Sequence, residues 1–307
     1  MNERLFATNT NKELAEAVAQ QTGLLLTDCT VARYADQEVE IRIPEQVVTD
    51  IHKKSIYVLG STFPPAENIL ELETLIHTLK INGAGHITAI VPYWGYAKSD
   101  RMKTVGTARS AELRASTLVA AGADKMITVD IHSPMATEFF RIPILNIHAC
   151  STLASHFKDP QFENLAVVAP DLGSVEQASE FAAQINIPKD QVVKLTKTRP
   201  GKDQAQITGF IGDVQGKNAI IVDDMIQSGG TIISAAEALK AKGANQVYVA
   251  VTHLIATGPS IQRFQEHPDI TAVVISDTIP FPNNLQASKF SVVSIVTPLA
   301  DAITQQS

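Results

Sequence analysis

Short runs of Val, Ile and Leu recur along the chain, separated by alanine-rich stretches whose apolar residues fall three and four apart. The first pattern marks strands and the second amphipathic helices. In the first half the pattern predicts strands at 23–27, 38–44, 55–61, 86–93 and 125–131, with helices at 11–22, 65–82 and 110–121. In the second half it predicts strands at 165–170, 219–222, 246–252, 272–276 and 291–296, with helices at 174–185, 231–242 and 259–266. Runs such as AIIV and VYVAV are apolar throughout, as expected of parallel strands covered on both faces. The pattern therefore predicts two doubly wound α/β units joined near residues 147–152. The halves share a similar order of elements but no strong sequence repeat.

Length and composition agree with this division. The 307 residues, 45% hydrophobic and 19% charged, suit two globular domains, 1–148 and 149–307, with the last residues a candidate for packing back on the first. Cys29 and Cys150 form no CxxC pair and read as inert packing thiols of a reduced compartment. The N-terminal residues lack the basic-then-apolar layout of a signal peptide, and no apolar run approaches the roughly 18 residues a membrane span needs. The expectation is a cytoplasmic protein with no membrane partner. A net charge of -7 argues against a general nucleic-acid binder. Phosphate binding would require cations gathered locally.

Residues 218–242, NAIIVDDMIQSGGTIISAAEALKAK, are the most informative. An apolar strand is expected to end at Asp223 and Asp224, followed by a loop with Gln227, Ser228, Gly229, Gly230 and Thr231 and then a helix. Glycines let backbone approach an anion, and a helix start offers unpaired N–H groups. No lysine follows the glycines, so this is not a Walker loop. Two carboxylates beside a phosphate would repel it unless they serve another part of the ligand. Ionised aspartates accept hydrogen bonds from two neighbouring sugar hydroxyls. The deduced ligand is ribose 5-phosphate. The plainer alternative is an aspartate pair that merely caps a helix.

The segment resembles the phosphoribosyl-diphosphate loop of phosphoribosyltransferases and ribose-phosphate diphosphokinases, both built on the type I phosphoribosyltransferase fold. Four further segments resemble the diphosphokinases, in that family's order. In ARYADQEVEIRIP, Tyr34, Asp36 and Glu38, with Gln37 between them, occupy the positions that hold ATP from a neighbouring subunit. In PYWGYAKSDR, Lys98 and Ser99 replace the family's Arg and Gln, while Asp100 and Arg101 match. In VDIHSPMATEFFRIP, His132 follows the strand-end Asp130 and matches a magnesium-associated histidine that also meets ATP; Asp171 in VVAPDLGS matches a metal ligand. In KLTKTRPGK, Lys197 and Arg199 match the cations of the family's mobile Lys-Arg-Arg-Pro loop. Without the resemblance, the first would read as an alternating strand, His132 as a structural histidine and the last as a solvated charge run.

The resemblance implies transfer of the β,γ-diphosphate of Mg-ATP to the C1 hydroxyl of ribose 5-phosphate, giving 5-phosphoribosyl 1-diphosphate and AMP. Asp223, Asp224 and Gln227 to Thr231 would hold ribose 5-phosphate, and Lys197 and Arg199 would serve the transfer. It also implies Mg²⁺ and self-association of dimers, often into a hexamer. Gln227 stands where many members have Asp; Met135, Ala136, Thr137 and Glu138 depart from the family's allosteric segment, as does the ending TQQS. Two rival readings are a salvage phosphoribosyltransferase and a non-catalytic partner of an active synthetase.

Overall fold

The structure is a computed structural model that describes residues 3–102, 104–201, 204–282 and 289–305, leaving aside the side chains of 198–206. The chain forms two compact units. The first runs to His148 and adds Thr278–Pro280 and the segment from Val296; the second comprises Ala149–Asp277 and Phe281–Ile295.

In the first unit the elements are β1 (Arg4–Ala7), α1 (Lys12–Thr22), β2 (Leu25–Leu26), β3 (Thr30–Arg33), β4 (Val39–Arg42), α2 (Glu45–Ile51), β5 (Ser55–Leu59), α3 (Glu67–Ile81), β6 (His86–Val91), α4 (Ser110–Ala121), β7 (Lys125–Val129), α5 (Pro134–Thr137) and β8 (Ile144–Ile147). Six strands form a parallel sheet in the order β2-β1-β5-β6-β7-β8, while β3 and β4 pair as a separate antiparallel hairpin. Phe6, Val58, Ile87 and Ala89 of the sheet share one buried cluster with Leu72, Leu75, Ile76 and Leu79 of α3. The register of α1 is set at both ends: Asn11 Oδ1 accepts from Leu14 N, and Gly23 closes the helix at a φ of 74°. A left-handed closing residue costs little only for glycine.

The second unit contains α6 (Cys150–Ser155), β9 (Leu165–Ala169), α7 (Val175–Gln184), β10 (Val193–Gly201), β11 (Gln204–Ile211), β12 (Asn218–Ile226), α8 (Gly230–Ala241), β13 (Gln246–Leu254), α9 (Ser260–Glu266), β14 (Ala272–Ser276) and β15 (Phe290–Val293). Its sheet runs β11-β10-β9-β12-β13-β14-β15, parallel except for β11. The last helix, α10 (Val296–Thr304), belongs to the first unit and packs on α1.

Two expectations need correction. The strand expected over 219–222 runs on through both aspartates to Ile226, because Met225 and Ile226 are buried and paired with His253 and Leu254 of β13. The cationic segment expected as a loop is β10, one arm of an antiparallel hairpin. It pairs with β9 only through Val193 and Lys194 and continues with β11 alone.

Candidate active site

In an open parallel sheet, ligands bind beyond the carboxyl ends of the strands where the chain leaves first to one side and then to the other. The first unit has that switch point between β1 and β5, and side chains fill it. Thr8, Thr10, Ser61 and Thr62 are buried there. The Thr8 and Thr10 hydroxyls lie 2.8 Å apart, Ser61 N donates to Thr10 Oγ1 at 2.9 Å, and Ser61 Oγ donates to Thr278 O at 2.7 Å. Polar groups this well paired leave little demand for a ligand.

The second unit has its switch point between β9 and β12, and charged groups converge on it. Asp171 follows β9, Asp223 and Asp224 lie on β12 just beyond its last pairing with β9, and Gly229 and Gly230 open α8. Lys197 reaches across from β10, its Nζ 2.6 Å from Asp171 Oδ2 and 3.3 Å from Thr231 Oγ1. A slip in the hairpin places it: Thr196 pairs with Gly209 and Lys197 with Ile207, leaving Thr208 as the extra residue. Such bulges re-aim side chains. At Gly209 a Cβ would collide with the Thr196 hydroxyl.

Electrostatics divide these acids. Burial works to raise the Asp171 pKa, but the Lys197 ammonium and the N–H groups of Ser174 and Gly173 outweigh it, so the carboxyl sits below its ordinary value. Asp223 goes well above, pushed first by burial and then by Asp224 and Asp171. Among the described residues the switch point thus sets three carboxyl groups around one ammonium, and its donors are oxygens.

The turn after β12 is shaped for close approach. Gly229 has a φ of 80°, and a Cβ there would run into the Phe264 ring of α9. Thr257 N donates to Gln227 O, and Arg263 Nη1 to Ser228 O. Arg263 and Phe264 escaped the sequence reading because all of β13 separates them from the turn they support. The signal available was indirect: a glycine with positive φ needs something close beneath it.

The other candidates lie in the first unit. Tyr34, Asp36, Gln37 and Glu38 form the exposed tip of the β3–β4 hairpin, with Gln37 at a φ of 74° and Tyr34 N paired to Glu38 O. The segment after β6 carries Lys98, Ser99, Asp100 and Arg101. Asp100 is buried, accepts from Ser133 Oγ at 2.7 Å and lies 3.7 Å from Arg101 Nε. His132 is exposed just beyond β7, next to Ser133, while Asp130 pairs with His148 Nδ1 at 3.2 Å. Arg199 falls on β10, with its side chain outside the described residues. Among the described residues no group of three or more His, Cys, Asp or Glu side chains is arranged to hold a metal, and no helix is long and apolar enough to cross a membrane.

Two parallel sheets, one with an acid pair and a glycine turn at its switch point, define an α/β protein of the phosphoribosyltransferase-like class. Comparison with known proteins narrows this. The family model for the N-terminal domain of ribose phosphate pyrophosphokinase matches residues 3–122, and that for the phosphoribosyl synthetase-associated domain matches 183–306. Ribose-phosphate pyrophosphokinases of Caldanaerobacter subterraneus subsp. tengcongensis and Bacillus caldolyticus are 38% and 37% identical, each over 98% of this chain and over 93% and 94% of their own lengths. The crystal structure of phosphoribosylpyrophosphate synthetase from Mycobacterium smegmatis superposes with a TM-score of 0.88 at 32% identity, covering 99% of this chain and 98% of that one. The chain belongs to the ribose-phosphate pyrophosphokinase family.

Proposed function

We infer that the chain transfers the β,γ-diphosphate of ATP to the C1 hydroxyl of ribose 5-phosphate, releasing AMP and forming 5-phosphoribosyl 1-diphosphate. The C1 oxygen attacks the β-phosphorus as the bond to the α-phosphate oxygen breaks. The attacking hydroxyl gives up its proton, and AMP takes the electron pair. The observation that carries this reading is the grouping, at one switch point, of an acid pair, a glycine turn opening a helix, and a lysine held between Asp171 and Thr231.

Asp223 and Asp224 accept from the ribose diol, and the turn from Gln227 to Thr231 takes the 5-phosphate on its amides and the Thr231 hydroxyl. Lys197, joined by Arg199, neutralises charge on the phosphates in flight. On the nucleotide side, Lys98, Ser99, Asp100, Arg101 and His132 contact ATP. Tyr34, Asp36, Gln37 and Glu38, exposed at a hairpin tip, contact the ATP of a second copy of the chain, which makes the working enzyme a homo-oligomer. Mg²⁺ fits the second unit's oxygen donors, since it keeps several waters and needs only one or two carboxylates. Asp171 is the carboxylate proposed to hold it, His132 is proposed as a further ligand, and the ion would neutralise nucleotide phosphates.

The test supplies the purified chain with Mg-ATP and ribose 5-phosphate and separates AMP from ADP. AMP should appear in step with 5-phosphoribosyl 1-diphosphate, without any nucleobase. ADP instead of AMP, or a requirement for a nucleobase, would reject the reading.

A further inference from the structure

We propose that Arg263, on α9, is a positioning residue for the ribose 5-phosphate turn: by holding the Ser228 carbonyl it aims the Gly229 N–H at the 5-phosphate. The proposal rests on the reading of this turn given above. Ile226 O accepts from Ile255 N at 2.9 Å, Gln227 O from Thr257 N at 3.2 Å, and Gly229 O from Ile233 N at 3.0 Å. These three partners are backbone amides. Ser228 O is the exception, accepting from Arg263 Nη1 at 3.1 Å.

In a trans peptide the C=O and the following N–H point in opposite directions. Fixing Ser228 O towards α9 therefore turns the Gly229 N–H the other way, out of the turn. The N–H groups of Ser228, Gly229 and Gly230 take no backbone partner among the described residues, as an anion cradle at a helix start requires. The peptide between Ser228 and Gly229 is the one in most need of an external hold. Gly229 sits at a φ of 80° with no side chain, so nothing of its own restrains that plane. Phe264, the residue after Arg263, fills the space that a Cβ at 229 would take. One short helix thus supplies both the floor under the glycine and the anchor for the carbonyl before it. A cationic donor also polarises the peptide it binds, which strengthens that peptide's N–H as a donor.

The test replaces Arg263 in the full chain with Met, which keeps length and loses every donor, and with Lys, which restores one. Steady-state KM values for ribose 5-phosphate and for ATP are measured with wild type, R263M and R263K, and binding of ribose 5-phosphate and of ribose is followed by calorimetry. R263M should raise the KM for ribose 5-phosphate about tenfold, the usual scale for a hydrogen bond from a charged group, and move that for ATP less than twofold. R263K should recover most of the loss, and binding of plain ribose should not change. Equal movement of both KM values, or equal loss for ribose, would assign Arg263 a general structural role and overturn the proposal. So would an R263M enzyme with wild-type affinity for ribose 5-phosphate. If R263M does not fold, R263Q carries the same comparison at this exposed position. Wild type that binds no ribose 5-phosphate would instead overturn the underlying reading of the turn.

Discussion

Lys197 shows how one side chain can hold two jobs. Its ammonium holds Asp171 below its ordinary pKa and also meets the Thr231 hydroxyl, beside the turn proposed to take the 5-phosphate. If its work is done on charge in flight, Lys197→Ala should lower kcat about a hundredfold or more while the KM for ribose 5-phosphate moves only a few-fold. Parallel losses in both would contradict that role. Cys29 marks the opposite case, a reactive group kept idle. Burial, with Asp28 adding to it and Lys12 opposing, pushes its thiol up to about 11. Since the thiolate is the nucleophile, a two-unit rise leaves about a hundredfold less of it near pH 8 than in a free thiol. Alkylation of Cys29 by iodoacetamide should be slower in proportion and gain about tenfold per pH unit until pH approaches 11. Labelling at the rate of free cysteine would show that the thiol is not buried as described. Neither cysteine stood in a chemical motif, which is why the sequence read both as packing thiols; the size of the shift at Cys29 was not legible, because it depends on what packs around it.

At the scale of elements, parallel strands such as β12 and β13 were legible because burial on both faces makes them apolar, whereas β1 and β8, four residues each, gave too short a run to read. Of the two hairpins only β4, within the strand expected at 38–44, was legible. β3 reads TVAR and β10 reads VKLTKTRPG, mixtures of charged and β-branched residues that equally suit a solvated loop. What makes them strands is a partner, β4 or β11, and no local pattern announces the pairing. The candidate site follows the same rule. Asp223, Asp224, Gly229, Gly230 and Thr231 fall in one short stretch and could be found together, whereas α9 reaches the turn only through the fold. The β3–β4 hairpin also depends on a distant anchor. Arg33 Nη2 lies 2.7 Å from Glu71 Oε1 of α3, and Asn9 N donates to Glu71 Oε2 at 3.2 Å. Glu71 is only 3% exposed, so removing its carboxylate leaves Arg33 and the Asn9 amide without their partner. Glu71→Ala should cost about 2–3 kcal/mol in urea unfolding, less than a fully enclosed pair because Arg33 keeps some contact with water. Trypsin should also cut after Arg33 sooner in the variant than in wild type. Unchanged cleavage would mean that the hairpin base is held by the packing of Ile41 and Ile43 alone.

Across the whole molecule, the two units repeat one wiring plan with different outcomes. In each, the first strand is followed by a helix, a strand on one side, a hairpin arm, and then a strand on the other side: β1, β2 and β5 in the first, β9, β10 and β12 in the second. The hairpin of the first unit bears Tyr34 and Asp36 at its tip, and that of the second bears Lys197 midway along β10. The second unit's switch point gathers Asp171, Asp223, Asp224 and Lys197; the equivalent place in the first is lined with threonine and serine hydroxyls. The chain closes by crossing back, since α10 completes the first unit although it is last in sequence. Its nine residues, VTPLADAIT, carry a proline in the first turn, where a helix tolerates it, and too short a period to reveal where the helix docks. Leu299 and Ile303 are buried within that unit, with Gln21 of α1 donating to Thr297 at 3.3 Å. The protein's single tryptophan, Trp94, is 4% exposed in the same unit and reports its unfolding by fluorescence. Leu299→Ala should therefore move the Trp94 urea midpoint to lower concentration, by an amount equivalent to about 2–5 kcal/mol. Leu75→Ala, in the central cluster of that unit, should move it by a comparable amount. If Leu299→Ala left the Trp94 transition where it was while Leu75→Ala shifted it, the C-terminal helix would not be part of the first unit's cooperative core.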